Sequence, residues 1–312
     1  MLKFRAKEFI DEKIGEIRDI VGKERGVVAT SGGVDSAVCA VLTFQALKHN
    51  LKIVFIDTGL MRKDEPEDMK RIFDSLGIDL VILDRKKKFF SRLKGLIDPE
   101  EKRKAFREVF YETLGEIVKK YRAKFLIQGT IAADILETKK GIKTQHNILE
   151  QIGISPQRYG LKIIEPLRDL YKPQVRRVAK ALGLSKEIYN RMPFPGPGLA
   201  TRVIGEITPE RIETIRKATK IVEEELSGLK KFQVLAVLFS DRATGLFKGK
   251  RLLGDIIAVR CVDSKDALKA KATKIPFNRL ERIQERITRE IPSVTKVLYD
   301  ITPKPPSTIE YI

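Results

Sequence analysis

The chain has 312 residues, of which 42% are hydrophobic and 33% charged, and it contains no tryptophan. This composition is typical of a soluble folded protein with one or two domains and argues against a disordered chain. No apolar run approaches the roughly 20 residues of a membrane-spanning helix, and residues 1–15 lack the apolar core of a signal peptide, so we expect a cytoplasmic protein with no membrane partner.

The formal net charge of +19 is compatible with three properties. These are nucleic-acid binding, attraction of small polyanions such as ATP and nucleoside monophosphates, and an ion-rich surface of the thermophile kind. Acidic residues are interspersed through most of the basic stretches, which favours the second and third properties over a nucleic-acid partner. The two cysteines, Cys39 and Cys261, lie far apart and outside any Cys-x-x-Cys pair, so a zinc site or a redox pair is unsupported.

The first predicted elements are a helix over residues 1–22, a buried strand over 27–30 and a helix over 34–48. The strand and the second helix are joined by Ser31-Gly32-Gly33-Val34-Asp35-Ser36. Two consecutive glycines let a ligand approach the backbone without meeting a Cβ atom. The free N–H groups at the start of a helix attract phosphate, and the two serine hydroxyls add donors. An acid is unusual in an anion site, so we predict that Asp35 binds Mg²⁺ together with the phosphates.

This loop lacks the lysine of a Walker A motif and the Gly-x-Gly-x-x-Gly spacing of a dinucleotide site. It is similar instead to the pyrophosphate loop of ATP pyrophosphatases, which cut ATP between the α and β phosphates. An ordinary glycine turn with a Ser or Asp helix cap is the alternative. The coincidence of strand, loop, acid and helix favours a nucleotide site in a parallel sheet.

Further strands, alternating with helices as in a parallel α/β sheet, are predicted over residues 51–56, 79–83, 124–127 and 162–164. Asp57 follows the first of these strands, and Gln128 follows the third. The carboxyl ends of parallel strands share the edge of the sheet at which ligands bind. We therefore predict that Asp57 and Gln128 face the nucleotide; for Asp57 a plain turn before Gly59 is the alternative.

A charged helical region is predicted over about residues 86–122. Within it, Asp98 is expected to cap a helix whose first turn holds Pro99. Composition alone predicts that the basic residues that follow, 102–104, are solvated. Residues 134–160 are polar and weakly periodic, as is common in lids over active sites.

The segment Pro193-Phe194-Pro195-Gly196-Pro197-Gly198 is incompatible with a helix or a central strand. We place a domain boundary there, which gives a nucleotide-binding domain over 1–191 and a second domain over 192–312. In the second domain the predicted order is β-α-β-β-α-β, with its first strand at 201–204, as in a small α+β layer. For the tail, residues 302–312, composition predicts a mobile terminus.

From residue 25 to its end the chain resembles the GMP synthetase family, whose nucleotide domain has the adenine-nucleotide α-hydrolase-like fold. The pyrophosphate loop is common to that whole superfamily. The proline–glycine segment, continued by Leu199, and the string Lys304-Pro305-Pro306-Ser307-Thr308-Ile309-Glu310 are specific to GMP synthetases. Other matching strings are Asp98-Pro99-Glu100-Glu101-Lys102-Arg103-Lys104, Gln128-Gly129-Thr130, Ile142-Lys143-Thr144-Gln145-His146-Asn147 and Glu165-Pro166-Leu167.

The chain also departs from that family's pattern. Many relatives have two histidines where this chain has Gln145-His146, and many end in Trp-Glu where it has Tyr311-Ile312. Family members often carry an N-terminal glutaminase domain, for which a chain that reaches its loop at residue 31 has no room. The chain therefore resembles the two-subunit type, in which a separate glutaminase subunit supplies ammonia. In this family the C-terminal domain forms a homodimer.

The resemblance implies a ligase that aminates xanthosine monophosphate (XMP) to GMP. An oxygen of XMP attacks the α-phosphate of ATP, giving adenylyl-XMP and pyrophosphate, and ammonia then displaces AMP. Asp35 and Lys143 are assigned to catalysis, with Asp35 also the Mg²⁺ ligand, and XMP is assigned to Arg103, Lys304 and Glu310. ATP is assigned to Ser31, Gly32, Gly33, Val34, Asp35, Ser36, Ala37, Asp57 and Gln128, the last two on its adenosine side.

Two alternatives remain at this point. One is a tRNA-modifying ATPase with the same pyrophosphate loop, which predicts salt-sensitive RNA binding. The other is a nucleotide sensor that binds ATP without releasing pyrophosphate. The missing cysteine pairs argue against the first alternative.

Overall fold

The structure, a computed structural model, describes residues 4–139, 161–247, 249–264 and 267–312. The chain divides into two compact units: the first contains residues 1–57, 64–85 and 108–191, and the second contains 58–63, 86–107 and 192–312. The last break lies between residues 191 and 192. The second unit also includes two earlier segments, and one of them carries Arg103.

Helices and strands are numbered in chain order. The helices are α1 (Ala6–Val21), α2 (Val34–Leu47), α3 (Glu65–Ser75), α4 (Lys86–Leu93), α5 (Pro99–Tyr121), α6 (Ala132–Lys139), α7 (Lys172–Ala181), α8 (Lys186–Tyr189), α9 (Pro209–Glu225) and α10 (Phe277–Glu290). The strands are β1 (Gly26–Thr30), β2 (Leu51–Asp57), β3 (Leu80–Asp84), β4 (Phe125–Ile127), β5 (Lys162–Ile164), β6 (Gln233–Phe247), β7 (Lys250–Asp263), β8 (Lys271–Ala272) and β9 (Val294–Asp300).

The first unit is built on a parallel sheet with the strand order β3-β2-β1-β4-β5, which confirms the predicted α/β class. The sheet is doubly wound, because the strand order reverses direction at β1, and ligands bind at such switch points. Helix α2 follows β1 and packs against that strand, α1 and α7. It is buried along its whole length, as the apolar run Val38–Leu42 requires. The loop between β1 and α2 is thus fixed at both ends.

The second unit has a sheet in which β6 and β7 form a long antiparallel hairpin, while β9 pairs with β7 in parallel. Helix α9 packs on β6, and α10 packs on β9 and α9. The strand predicted at 201–204 is wrong: residues Gly198–Arg202 form a 3-10 helix, and only an isolated bridge joins Val203 to Leu238. The turn is closed by the hydroxyl of Thr201, which donates to the carbonyl of Gly198 at 3.0 Å.

The tail of the chain is packed, so the mobile terminus that composition predicts is wrong. Ile309 is buried in an apolar cluster that includes Leu235 and Val237 of β6. The fully buried Arg260 pairs with Asp300 and donates to the carbonyl of Thr308 at 2.9 Å. These contacts lie within one chain, and they hold the tail through its backbone as well as its side chains.

Lys102 is buried in the second unit, where its Nζ donates to the carbonyls of Val203 at 3.0 Å and Gly205 at 2.5 Å. Burial, followed by the nearby charge of Arg211, lowers the pKa of Lys102 to about 8. Asp98, four residues earlier, caps α5 as predicted, because its Oδ1 accepts from the N–H groups of Glu100 and Glu101, each at 2.9 Å. Because two backbone carbonyls bind its Nζ, Lys102 points into the second unit and does not lie on the solvated surface that composition predicts.

This burial predicts a pH dependence of stability. Between pH 8 and 10.5 the unfolded chain still binds a proton that folded Lys102 has lost, so stability rises with pH in this window. We expect the free energy of unfolding of the wild type to rise across the window relative to that of Lys102→Met. Urea unfolding of both proteins at several pH values measures the difference. A difference that stays constant with pH would contradict the assignment.

None of the helices in the described ranges combines the length and the apolar character that crossing a membrane requires.

Candidate functional site

The loop at residues 31–36 of the first unit is closed by its last serine. The hydroxyl of Ser36 accepts from the N–H of Ser31 at 3.1 Å and donates to the carbonyl of Gly33 at 3.1 Å. It also lies 3.1 Å from the hydroxyl of Ser31 and 3.2 Å from that of Thr30. Ser36 thus orders the turn from inside, while Ser31 remains exposed at its rim.

The two glycines of the loop serve different purposes. Gly32 has a φ of +78°, in the region that favours glycine, and a Cβ there would lie 2.7 Å from Oε1 of Glu65. Gly33 is the N-cap of α2 and has no side chain that could accept a hydrogen bond from the first turn. The N–H groups of that turn therefore lack a side-chain cap. A helix start of this kind binds phosphate through its N–H groups and its partial positive charge.

Asp35 lies in the first turn of α2 and has two unlike carboxylate oxygens. Its Oδ2 pairs with Nζ of Lys172 at 2.5 Å, whereas its Oδ1 is buried and has no hydrogen-bond partner among the residues that the structure describes. Burial raises the pKa of Asp35, and Lys172 opposes that shift. An orphaned carboxylate oxygen beside a phosphate-binding turn is a suitable ligand for a hard cation. Asp35 therefore fits the predicted Mg²⁺ ligand.

Within the described residues, no three His, Cys, Asp or Glu side chains are grouped so that they could hold a metal by themselves. A single carboxylate at this position is compatible with Mg²⁺. Mg²⁺ usually binds in this way, through one or two carboxylates and the phosphates of a substrate.

The predicted strand tips lie at the same edge of the sheet as the loop. Asp57 is buried at the end of β2, two residues beyond Phe55, which pairs with Thr30. Gln128 follows β4, and its N–H donates to the carbonyl of Ile164 at 2.9 Å. Gly129 packs closely against α2, because a Cβ there would lie 2.9 Å from the carbonyl atoms of Asp35.

Three residues of this site could not be assigned to it from the sequence. Lys172 contacts Asp35 from the start of α7, and Glu65 lies under Gly32 at the start of α3. Arg191 donates from Nη1 to the carbonyl of Gly32 at 2.9 Å and pairs with Glu65 at 3.1 Å. All three lie far from the loop in sequence and outside any motif, so spacing alone gives no reason to choose them.

The residues assigned to XMP all belong to the second unit, where each has partners of its own. Arg103 is partly exposed on α5 and pairs with Glu100. Nζ of Lys304 donates to the carbonyl of Ala267 at 2.8 Å. Glu310 accepts from Nε and Nη2 of Arg202 at 3.2 and 3.1 Å, and from the amide of Gln233 at 2.5 Å. Lys143, with Gln145 and His146, lies outside the described residues.

Both cysteines are buried and outside the site. Burial raises the pKa of Cys39 to about 12, and it also raises the pKa of Cys261. A thiol in this state is a poor nucleophile. The cysteine chemistry of a tRNA-thiolating enzyme thus has no support from these two residues.

Two sequence families match the chain. The family described as NAD synthase matches residues 5–197, and the family described as GMP synthase C terminal domain matches residues 220–311. Among solved structures, NMN synthetase from Francisella tularensis matches with a TM-score of 0.50 and 20% identity, over 68% of this chain and 85% of that one. At that identity the structural match supports the fold alone.

Full-length relatives are far more similar. A subunit of the glutamine-hydrolyzing GMP synthase of Archaeoglobus fulgidus is 52% identical over 306 residues, which cover 98% of this chain and 99% of the relative. The protein of the same name from Thermococcus kodakarensis is 51% identical over 308 residues, with the same coverage. That from Methanopyrus kandleri is 47% identical over 316 residues, with 99% of each chain covered.

Proposed function

The chain belongs to the family of glutamine-hydrolyzing GMP synthase subunits. We propose that this chain is the subunit that activates XMP with ATP and then aminates the activated XMP to GMP. The observation that carries this proposal is a full-length identity of about half to proteins of that name. The phosphate-binding turn with Asp35 supports it independently, because it supplies the groups that ATP cleavage needs.

The chemistry proceeds in two steps. The O2 oxygen of XMP attacks the α-phosphorus of ATP, the bond to the bridging oxygen breaks, and pyrophosphate leaves. Ammonia then adds at C2 of the adenylylated purine, AMP leaves with the former O2 oxygen, and GMP remains after loss of protons to solvent. Adenylylation is needed because a carbonyl-type oxygen is a poor leaving group. Such a reaction depends on positioning and electrostatics, without a protein nucleophile.

We assign ATP to the first unit. The N–H groups at the start of α2 and the hydroxyl of Ser31 bind the β and γ phosphates, and Ser36 holds the turn in shape through its bonds to Ser31 and Gly33. This leaves the α-phosphorus open to attack. Asp57 and Gln128 bind the adenosine side, since they lie at the carboxyl ends of β2 and β4, the two strands that flank β1. Val34 and Ala37 contribute backbone only, because their side chains are buried in the core.

We further propose that Asp35 binds Mg²⁺ through Oδ1. When bound, the ion neutralises charge on the phosphates and on the departing pyrophosphate. The cation is needed because an ionised carboxylate in the first turn of α2 would by itself repel phosphate. The contact with Lys172 favours the ionised carboxylate and so opposes the effect of burial on the pKa of Asp35.

The second unit is proposed to bind XMP through Arg103, Lys304 and Glu310. The two cations suit its phosphate, and the carboxylate suits a purine N–H or a ribose hydroxyl. Arg202 is fully buried and orients Glu310, which keeps this carboxylate in one place. Lys143, from the segment outside the described residues, is proposed to assist catalysis.

We also propose that ammonia comes from a separate glutaminase subunit and that the protein is cytoplasmic.

We propose further that the chain forms a homodimer through its second unit. Large apolar side chains are exposed there, which is typical of protein interfaces. They include Leu246, Leu253, Phe277, Leu298 and Ile301. Sedimentation of the purified chain measures the oligomeric state.

Purified protein incubated with XMP, MgATP and ammonium tests the function. We expect GMP, AMP and pyrophosphate in equal amounts, and no GMP when glutamine replaces ammonium in the absence of a glutaminase. Pyrophosphate release without GMP would overturn the proposal. RNA binding that weakens with salt would favour the tRNA-modifying alternative instead.

Glu310→Gln tests the XMP assignment, and it is cleaner than removing the tail, whose Ile309 is part of the core. The variant keeps an oxygen for Arg202 but loses the charge. We expect the KM for XMP to rise about tenfold, as for loss of a charged hydrogen bond, with little change in the KM for ATP. An unchanged KM for XMP would remove Glu310 from the site.

A further inference from the structure

The underside of the phosphate-binding turn is held by a charged pair that the reaction chemistry does not use. Glu65 opens α3 and is only 2% exposed, and Arg191 follows α8 with 17% of its side chain exposed. Nη1 of Arg191 lies 3.1 Å from Oε1 of Glu65 and 2.9 Å from the carbonyl oxygen of Gly32. A buried pair of this kind is weak as a source of stability, which raises the question of what else it does.

The contact with Gly32 has a consequence for the next peptide group. The bond between Gly32 and Gly33 is trans, and in a planar trans peptide the C=O and N–H groups point in opposite directions. Because Arg191 binds the carbonyl, the N–H of Gly33 points away from Arg191, to the other side of the loop. Without that bond, a peptide flanked by two glycines has little to prevent it from rotating.

The fit under the loop is close. A Cβ on Gly32 would lie 2.7 Å from Oε1 of Glu65 and 3.0 Å from Nη1 of Arg191, so the pair fills the space directly below this residue. Nη1 of Arg191 also lies 3.7 Å from Sδ of Met69, one turn further along α3. The guanidinium is therefore confined by α3 on one side and by the loop on the other.

We propose that Arg191, held by Glu65, is a positioning residue that fixes the Gly32–Gly33 peptide so that the N–H of Gly33 binds the pyrophosphate end of ATP. This inference rests on the proposed ATP site and adds to it two residues from α3 and the end of α8. Arg191 acts through the backbone and does not touch the substrate. Its substitution should therefore weaken the binding of ATP and leave the binding of XMP unchanged.

Arg191→Gln tests this proposal by kinetics of GMP formation with ammonium. We expect the KM for MgATP to rise and kcat to fall by about tenfold each, because small displacements of binding groups have effects of that order or larger. The KM for XMP should stay within about twofold. Arg191→Lys keeps the charge beside Glu65 but loses the forked donor, so partial recovery is expected.

Arg18 provides a matched control, because it contacts the C-terminal end of α2, the helix that begins at the loop. It donates from Nε to the carbonyl of Ala46 at 3.2 Å and from Nη2 to that of Gln45 at 3.1 Å, both in the last turn of α2. Arg18→Gln removes the same kind of arginine–carbonyl contact without involving the loop. It should change the melting temperature but leave both KM values unchanged.

The outcomes separate clearly. An unchanged KM for MgATP in folded Arg191→Gln overturns the proposal, as does an equal loss of affinity for ATP and XMP. If Arg191→Gln does not fold, Arg191→Lys decides by the same ratio of the two KM values. Failure of the wild type to form GMP would instead overturn the proposed function.

Discussion

Asp35→Asn is expected to lower GMP formation on the order of a thousandfold, because loss of the proposed metal ligand removes several kcal/mol of charge stabilisation. The substitution keeps the shape of the side chain, so the turn at residues 31–36 should be preserved. Asparagine cannot supply the anionic oxygen that we propose as the Mg²⁺ ligand. XMP-dependent pyrophosphate release, measured over a range of Mg²⁺ concentrations, reports the loss directly.

The same substitution should not destabilise the protein. The pKa of Asp35 is raised by burial. Ionised Asp35 therefore lowers the stability of the folded state above the pKa of the unfolded chain, and asparagine removes that effect. Lys172, left behind, is 39% exposed and can be solvated. A melting temperature at or above that of the wild type, with activity lost, is the signature of a residue kept for function.

Asp79→Asn is the matched control for this experiment. Asp79 also pairs with a lysine, Lys52, at 3.0 Å, but its side chain is 72% exposed and lies away from the loop. Surface pairs of this kind contribute little to stability. Asp79→Asn should form GMP at the wild-type rate. Wild-type activity in Asp35→Asn itself would show that the metal is not bound by this residue.

The fold of the first unit was largely predictable because its signals are local. Apolar strands, glycine turns and helix caps follow one another at the spacing of a parallel sheet, and β1, β2 and β5 begin or end within one residue of their predicted bounds. The loop at residues 31–36 is similarly local: its glycines, acid and helix start are contiguous. The loop could therefore be recognised from six consecutive residues.

What the sequence could not predict depends on distant contacts. Nothing in the local pattern indicates that Lys172 pairs with Asp35, or that the region around Arg103 belongs with the second unit. Lys102 illustrates the reason: its neighbours in sequence are charged, but two carbonyls a hundred residues away satisfy its ammonium group. Burial of a charge is decided by such partners, not by composition.

The predictions of a mobile tail and of a strand at 201–204 were wrong for a related reason. Prolines and polar residues in the tail predict mobility, yet Arg260 and the apolar cluster around Ile309 hold it in place. At 201–204 the β-branched residues Thr201, Val203 and Ile204 are typical of a strand, but the preceding turn at Gly198 winds the backbone into a 3-10 helix. Long-range packing overrides local preference in both places.

Gly129→Ala is expected to reduce ATP-dependent activity about a hundredfold, through a steric effect on the same loop. An alanine methyl would lie 2.9 Å from the carbonyl carbon and oxygen of Asp35 and 3.0 Å from the backbone nitrogen of Ser36. These are backbone atoms in the first turn of α2, and that helix cannot retreat because Val38 and Leu42 are fully buried beneath it. The turn must therefore distort, and the N–H groups proposed to bind phosphate move with it.

Gly15→Ala is the control for Gly129→Ala, because Gly15 lies inside α1 and a Cβ there meets no atom within 4 Å. Alanine in a helix interior stabilises by about 0.5–1 kcal/mol relative to glycine, so this variant should melt at a higher temperature with unchanged activity. Gly129→Ala should instead raise the KM for MgATP and leave the KM for XMP nearly unchanged, because the strain falls on the nucleotide loop. Normal ATP kinetics in this variant would mean that the first turn of α2 does not bind the phosphates, and the assignment of ATP to residues 31–36 would fail with it.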